Sequence, residues 1–229
     1  MSASIAYQRD HTMFERLVRH WAFWLGFMVL AFCYPIYRSV NRELPPELPK
    51  LYQVPTFRLV NDFNKPFGTE QLNGKVYIAN FMFTSCPTTC PALMEKMQKI
   101  QKRIRGVGAQ AALVTFTVDP ETDTPQALHK FARGLHANPF VWSFLTGDEA
   151  TIKSVLIDGY KVPMGDGKQP IQGMVDGKEV TLFDIVHSEK LVLVDQEGWV
   201  RGYYSTDNIS IDRLMVDLGL TMNRHLYNK

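Results

Sequence analysis

Over residues 75–83 the chain runs Val-Tyr-Ile-Ala-Asn-Phe-Met-Phe after Lys75, almost without a polar interruption, and then reaches Cys86-Pro87-Thr88-Thr89-Cys90-Pro91. A strand exposed on one face alternates apolar and polar residues, whereas a continuous apolar run of this length belongs to a central strand covered on both faces. Beyond Pro91, Leu93, Met94, Met97, Ile100 and Ile104 recur at helical spacing, and proline is favoured at the first position of a helix. The chain must therefore bury a strand, release two thiols at its end, and start an amphipathic helix with Cys90 at its N-terminus.

The alternation of strand and helix continues beyond that helix. A second buried strand is expected over residues 112–118, then a turn at Asp119-Pro120 and a helix from Pro125 with Leu128, Phe131, Ala132 and Leu135 on one face. Residues 141–145 predict a short strand, 148–156 a short helix, and 160–177 a loop rich in Gly, Asp, Lys and Pro. Leu191–Val194 and Trp199–Tyr204 predict a hairpin around Gln196-Glu197-Gly198, and 209–220 a last helix. Such a succession gives an α/β fold, a three-layer sandwich with a mixed sheet. In an open α/β sheet the reactive groups lie beyond the carboxyl ends of the strands, and Cys86 comes just after such an end.

Residues 21–37 are uncharged and predominantly apolar, a length that just crosses a bilayer, with Trp21, Trp24, Tyr34 and Tyr37 towards the two ends, where amphipathic rings prefer the water boundary. A single transmembrane anchor is expected. No small-x-small cleavage site comes after it, and Phe32 precedes Cys33 where a lipoprotein signal wants a small residue, so the anchor is expected to be retained. Arg9, Arg16 and Arg19 balance Arg38, Arg42 and Lys50, so flanking charge does not choose a side of the membrane. The large C-terminal part is placed outside the cytoplasm because the anchor precedes the sizeable domain. Leu44-Pro45-Pro46-Glu47-Leu48-Pro49 cannot be helical and forms a stiff spacer. The predicted organisation is an N-terminal tail at 1–20, the anchor at 21–38, a proline-containing linker at 39–50, the folded domain at 51–222 and a C-terminal tail at 223–229. With 25 basic and 23 acidic side chains well mixed along the chain, no nucleic-acid partner is indicated.

Two thiols in a Cys-x-x-x-Cys spacing can form a disulfide, hold a metal or do neither. At a helix N-terminus both feel the positive end of the backbone dipole, which favours the thiolate. A disulfide closing so short a loop constrains little chain, so stabilisation alone is a poor reason for one. His187, in Asp184-Ile185-Val186-His187-Ser188, precedes the strand Leu191–Val194; a lone histidine there is ordinarily a surface or hydrogen-bonded group. Two thiolates with one imidazole would form a soft, low-coordination site suited to Cu(I), with the imidazole also serving Cu(II), whereas structural zinc ordinarily takes a fourth protein ligand. Asp119 and Asp123 suit a turn and a helix N-cap respectively, with Thr124 the alternative cap. Met164 and Met174 lie in the predicted loop and read as packing groups, and Cys33 reads as a small hydrophobe within the anchor.

Phe83-Thr84-Ser85-Cys86-Pro87-Thr88-Thr89-Cys90-Pro91, Val118-Asp119-Pro120 through Asp123-Thr124-Pro125, Leu145-Thr146-Gly147, and His187 with Leu193-Val194-Asp195 together resemble the SCO/SenC family, thioredoxin-like copper chaperones that help assemble the binuclear copper centre of cytochrome c oxidase. The resemblance covers about residues 55–220. It implies a thioredoxin-like domain, metal ligands at Cys86, Cys90 and His187, and a copper-receiving subunit of cytochrome c oxidase as partner. A periplasmic copper donor or thiol reductase would be a second partner, with the domain on the periplasmic or intermembrane-space side. The chain departs from the family where many members carry an acidic residue between the cysteines and this one has Thr88. The alternative function is an anchored thiol-disulfide oxidoreductase using Cys86 and Cys90 to keep the recipient's cysteines reduced. The wider cysteine spacing and the added imidazole favour metal. No Pro-x-x-x-Thr-x-x-Cys arrangement precedes either thiol, which disfavours a peroxiredoxin.

Overall fold

The computed structural model describes residue 13 and residues 19–41, 46–85, 89–161, 171–175, 178–182 and 190–227. These divide into two units, Met1–Glu47 and Leu48–Lys229. In the first, helix α1 (Trp21–Val40) has no buried residue, a mean hydropathy of 1.4, and the length and composition to cross a membrane. Trp24 lies edge-on to both Phe23 and Phe27.

The second unit is built on an eight-stranded mixed sheet in the order β1-β10-β9-β4-β5-β6-β2-β3, with β1 at Tyr52–Gln53, β2 at Arg58–Asn61, β3 at Pro66–Gly68, β4 at Val76–Met82, β5 at Ala111–Thr117, β6 at Trp142–Thr146, β9 at Leu191–Val194 and β10 at Trp199–Tyr204. β4, β5 and β6 run parallel, and β9 lies antiparallel along the other edge of β4. Every residue of β4 is buried, as its unbroken apolar sequence requires.

Because side chains alternate across a strand, one face of the sheet presents Val76, Ile78, Met82, Leu113, Trp142, Phe144, Leu191 and Leu193. Against it pack helix α3 (Thr89–Ile104) through Leu93, Met94, Met97, Ile100 and Ile104, helix α4 (Pro125–Gly134) through Leu128 and Ala132, and helix α6 (Asn208–Tyr227) through Ile211, Leu214, Leu218 and Met222. The opposite face, with Leu59, Tyr77, Ala79, Phe81, Val114, Phe116, Val192 and Val194, is covered by Val54, Phe57 and Leu72 and by Ile152, Val155, Leu156 and Tyr160. Leu72 ends the short helix α2 (Thr69–Leu72), and Ile152 belongs to helix α5 (Glu149–Ser154). Helices on one side, sheet in the middle and a mixed layer beyond give the expected three-layer sandwich. A buried relay stitches its parallel strands: Trp142 Nε1 donates to Thr115 Oγ1 at 2.8 Å, which donates to Asn80 Oδ1 at 2.7 Å.

Several elements depart from expectation. Part of the loop predicted at 160–177 is strand β7 (Ile171–Val175), paired with β8 (Lys178–Leu182). The connecting Asp176-Gly177 between β-prone residues is a strong two-residue hairpin signal that the surrounding Gly and Lys content obscures. Helix α5 is continued by a π-helical turn over Val155–Gly159, which carries Tyr160 into the core. Helix α3 includes Thr89 and Cys90 ahead of Pro91, tolerable because first-turn amides have no intrahelical acceptor to lose. Helix α6 continues past 220 to Tyr227, since no Gly or Pro follows Leu220 there and Met222 extends its buried face. β1 to β3, at or near sheet edges, were not anticipated.

Two buried polar features give testable consequences. Arg201 and Asp195 pair at 2.9 Å with side chains 5% and 6% exposed; Asp195 Oδ1 also accepts from the amides of Glu197 and Trp199, and Arg201 Nη2 donates to the Leu48 carbonyl. Arg201→Met would strand a buried carboxylate and is expected to lower stability by about 3–5 kcal/mol in urea unfolding, whereas a loss under about 1 kcal/mol would show that the pair does not anchor the hairpin. The hydroxyls of Tyr77 and Tyr160 meet at 3.0 Å in the core, and burial, the largest influence on both phenols, pushes them above the ordinary tyrosine range. The native state thus keeps protons that the unfolded chain releases near pH 10. That stabilisation is complete below about pH 10 and lost as pH rises towards the folded values, so Tyr77→Phe should flatten the alkaline fall in urea midpoint; an unchanged slope would contradict this assignment.

Candidate metal centre

β4 ends at Met82, and the pairing with β5 continues one step further through the Val118 amide donating to the Met82 carbonyl at 2.9 Å. Phe83, Thr84 and Ser85 then lead towards Cys86. Thr84 is tied down before the thiols are reached: its amide donates to Asp123 Oδ1 and Oδ2 at 3.2 and 3.0 Å, and its hydroxyl donates to Asp123 Oδ1. Asp123 Oδ2 also accepts from Thr117 Oγ1, at the end of β5, at 2.5 Å. Asp123 is wholly buried, at 0% exposure.

The neighbouring turn explains how a carboxylate comes to sit there. Asp119 Oδ1 accepts from the Thr122 amide at 3.3 Å, and the Asp123 amide donates to the Asp119 carbonyl at 2.9 Å, which folds the segment back. Thr124 is the N-cap of α4, its hydroxyl accepting from the Ala127 amide, with Pro125 in the first turn. Asp119 is thus the turn residue expected, while of the two cap candidates Thr124 caps and Asp123 points inward. The sequence carried a signal for this: Thr115 and Thr117 interrupt an apolar strand, and buried hydroxyls need acceptors.

Of the three expected ligands, Cys86 and His187 lie outside the described residues. Cys90 stands in the first turn of α3, the positive end of the helix dipole, with no acidic residue in that turn. Lys190 and β9 come after His187 in the chain, and Lys190 Nζ donates to Ser205 Oγ at 2.8 Å, just past the end of β10. Met164 lies outside the described residues, Met174 falls in β7, and Cys33 is a free, exposed thiol in α1. Among the described residues no group of three or more His, Cys, Asp or Glu side chains converges as a metal site. His129 Nδ1 lies 3.2 Å from Asp62 Oδ2 and edge-on to Phe63, at a cavity of about 400 Å³ beside the beginning of β6. β4 and β6 run in the same direction, so this cavity and the exit towards Cys86 lie towards opposite ends of the parallel strands.

A family model described as SCO1/SenC matches residues 47–222. A SCO1 protein homolog from Bacillus subtilis (strain 168) is 30% identical over 172 residues, covering 74% of this chain and 83% of that protein. Among solved structures, BsSco, a member of the Sco family of cytochrome c oxidase assembly proteins in which a disulfide switch has been identified, is 27% identical with a TM-score of 0.62 over 78% of this chain and 98% of its own. Copper-bound ScoI from Arabidopsis thaliana is 27% identical with a TM-score of 0.56, over 76% of this chain and 99% of its own. The shared mixed sheet, the matched family model and the B. subtilis relative agree, and the chain belongs to the SCO1/SenC family.

Proposed function

We propose that the protein is a membrane-anchored metallochaperone that carries copper on the thiolates of Cys86 and Cys90 and the imidazole of His187, and delivers it to the copper-receiving subunit of cytochrome c oxidase. The observation that carries this reading is the register of β9 against β4, in which Ala79 stands opposite Val192. The chain therefore enters β9 at the end of the sheet where it leaves β4 towards Cys86. The copper-bound plant relative and the helix N-terminus beneath Cys90 support the same site. Copper is cargo here. Soft thiolates favour Cu(I), and the imidazole extends the site to Cu(II). Three ligands leave copper open to an incoming donor from the recipient, so transfer proceeds by successive exchange of one protein ligand for one recipient ligand, without change of oxidation state.

Helix α1 supports a retained anchor, with residues 39–50 as linker, residues 51–222 as the copper-binding domain and the domain outside the cytoplasm, where a copper donor or thiol reductase would meet it. A second reading is favoured by the disulfide switch identified in BsSco. Cys86 and Cys90 as a dithiol would reduce a disulfide in the recipient, giving up two electrons and two protons and closing their own S–S bond. The two readings separate on one residue. The reduced full chain should bind one equivalent of Cu(I), and His187→Ala should weaken that binding by at least about tenfold in a chelator competition while leaving dithiol exchange intact. Unchanged affinity in His187→Ala would remove the imidazole from the site and leave the oxidoreductase reading in its place.

A further inference from the structure

We infer that Asp123 is a positioning residue for the copper site: its buried carboxylate latches the loop that presents Cys86 and so sets both copper affinity and the dithiol-disulfide equilibrium. This inference rests on the proposed copper-carrying function. A wholly buried carboxylate is costly, and the partners of Asp123 among the described residues are neutral donors: the Thr84 amide, the Thr84 hydroxyl and the Thr117 hydroxyl. Closing the end of a sheet does not call for a charge. Gathering three donors from two different segments onto one side chain does, because an ionised carboxylate is acceptor on both oxygens whereas an asparagine would turn an amide N–H₂ towards one of those donors.

The segments joined are the end of β5, through Thr117, and the chain leaving β4, through Thr84. The latch therefore acts immediately ahead of Cys86, beyond the last strand-to-strand hydrogen bond at Met82 and Val118. Without it, each metal-binding event would have to supply the backbone ordering of the chain approaching Cys86. With it, the chain at Thr84 is held to the end of β5 before copper arrives. Cys86 follows Thr84 by two residues, so the same hold bears on how readily the pair closes.

The test compares Asp123→Asn, Thr84→Val, Thr84→Ser and Ile152→Val in the full chain, using Cu(I) alone as probe in a chelator competition, glutathione exchange for the dithiol, and thermal unfolding. Asp123→Asn and Thr84→Val should each lower Cu(I) affinity by at least about fivefold and shift the glutathione equilibrium, the scale of one lost charge-assisted hydrogen bond. Thr84→Ser, which keeps both donors, should restore both properties. Ile152→Val loosens the core on the other face of the sheet and should lower the melting temperature while leaving copper and exchange unchanged. Wild-type affinity and exchange in both Asp123→Asn and Thr84→Val would overturn the latch, as would an equal loss in Ile152→Val. If Asp123→Asn fails to fold, Thr84→Val decides. If the wild-type chain itself binds no Cu(I), the copper reading falls, and the glutathione equilibrium alone still tests the latch.

Discussion

β4 is paired on both edges and covered on both faces, and that constraint organises the rest of the domain. β5 beside it runs parallel, so the turn leaving β5 and the loop leaving β4 emerge at one end of the sheet. β9 on the other edge runs antiparallel, so the chain enters β9 at that same end. A strand with no free edge and no solvent face cannot slip in register without expelling its apolar side chains, which makes these placements rigid. The chain leaving β4 towards the thiols, the buried carboxylate of Asp123 and the chain entering β9 are thereby brought to one end from three separate stretches of sequence.

Much of this was legible in the chain itself. The unbroken apolar run foretold β4, and the helical spacing of Leu93, Met94, Met97, Ile100 and Ile104 foretold the buried face of α3, because both patterns report burial directly. The β9–β10 hairpin matched its predicted limits, with Gly198 adopting a positive φ of 82° in the turn. What escaped has a common cause. β1, β2 and β3 are short and at or near sheet edges, so they carry little of the alternation that identifies a strand. β7 and β8 pair only with each other and form their own two-stranded sheet, in a stretch whose composition suggested a loop.

The candidate site divides along the same line. Two cysteines near each other in sequence are visible at once, and their place at a strand end and helix start is implied by flanking patterns. Asp123 was visible only as a capping residue, because its partner Thr84 is far away in sequence and near only after β4 and β5 pair. His187 is the extreme case. Nothing around it in sequence ties it to the thiols, and its proposed place beside them rests on family resemblance.

On the proposed reading, copper carriage and dithiol exchange draw on the same two sulfurs and exclude each other at any moment, since a closed disulfide offers no thiolate to a metal. The most direct measurement of the central claim is X-ray absorption at the copper edge of the Cu(I)-loaded chain, with the wild type and His187→Ala compared. The account predicts both sulfurs and one imidazole around the metal, with the imidazole scattering absent from the variant. A sulfur-only shell in the wild type, or imidazole scattering that survives in His187→Ala, would contradict it.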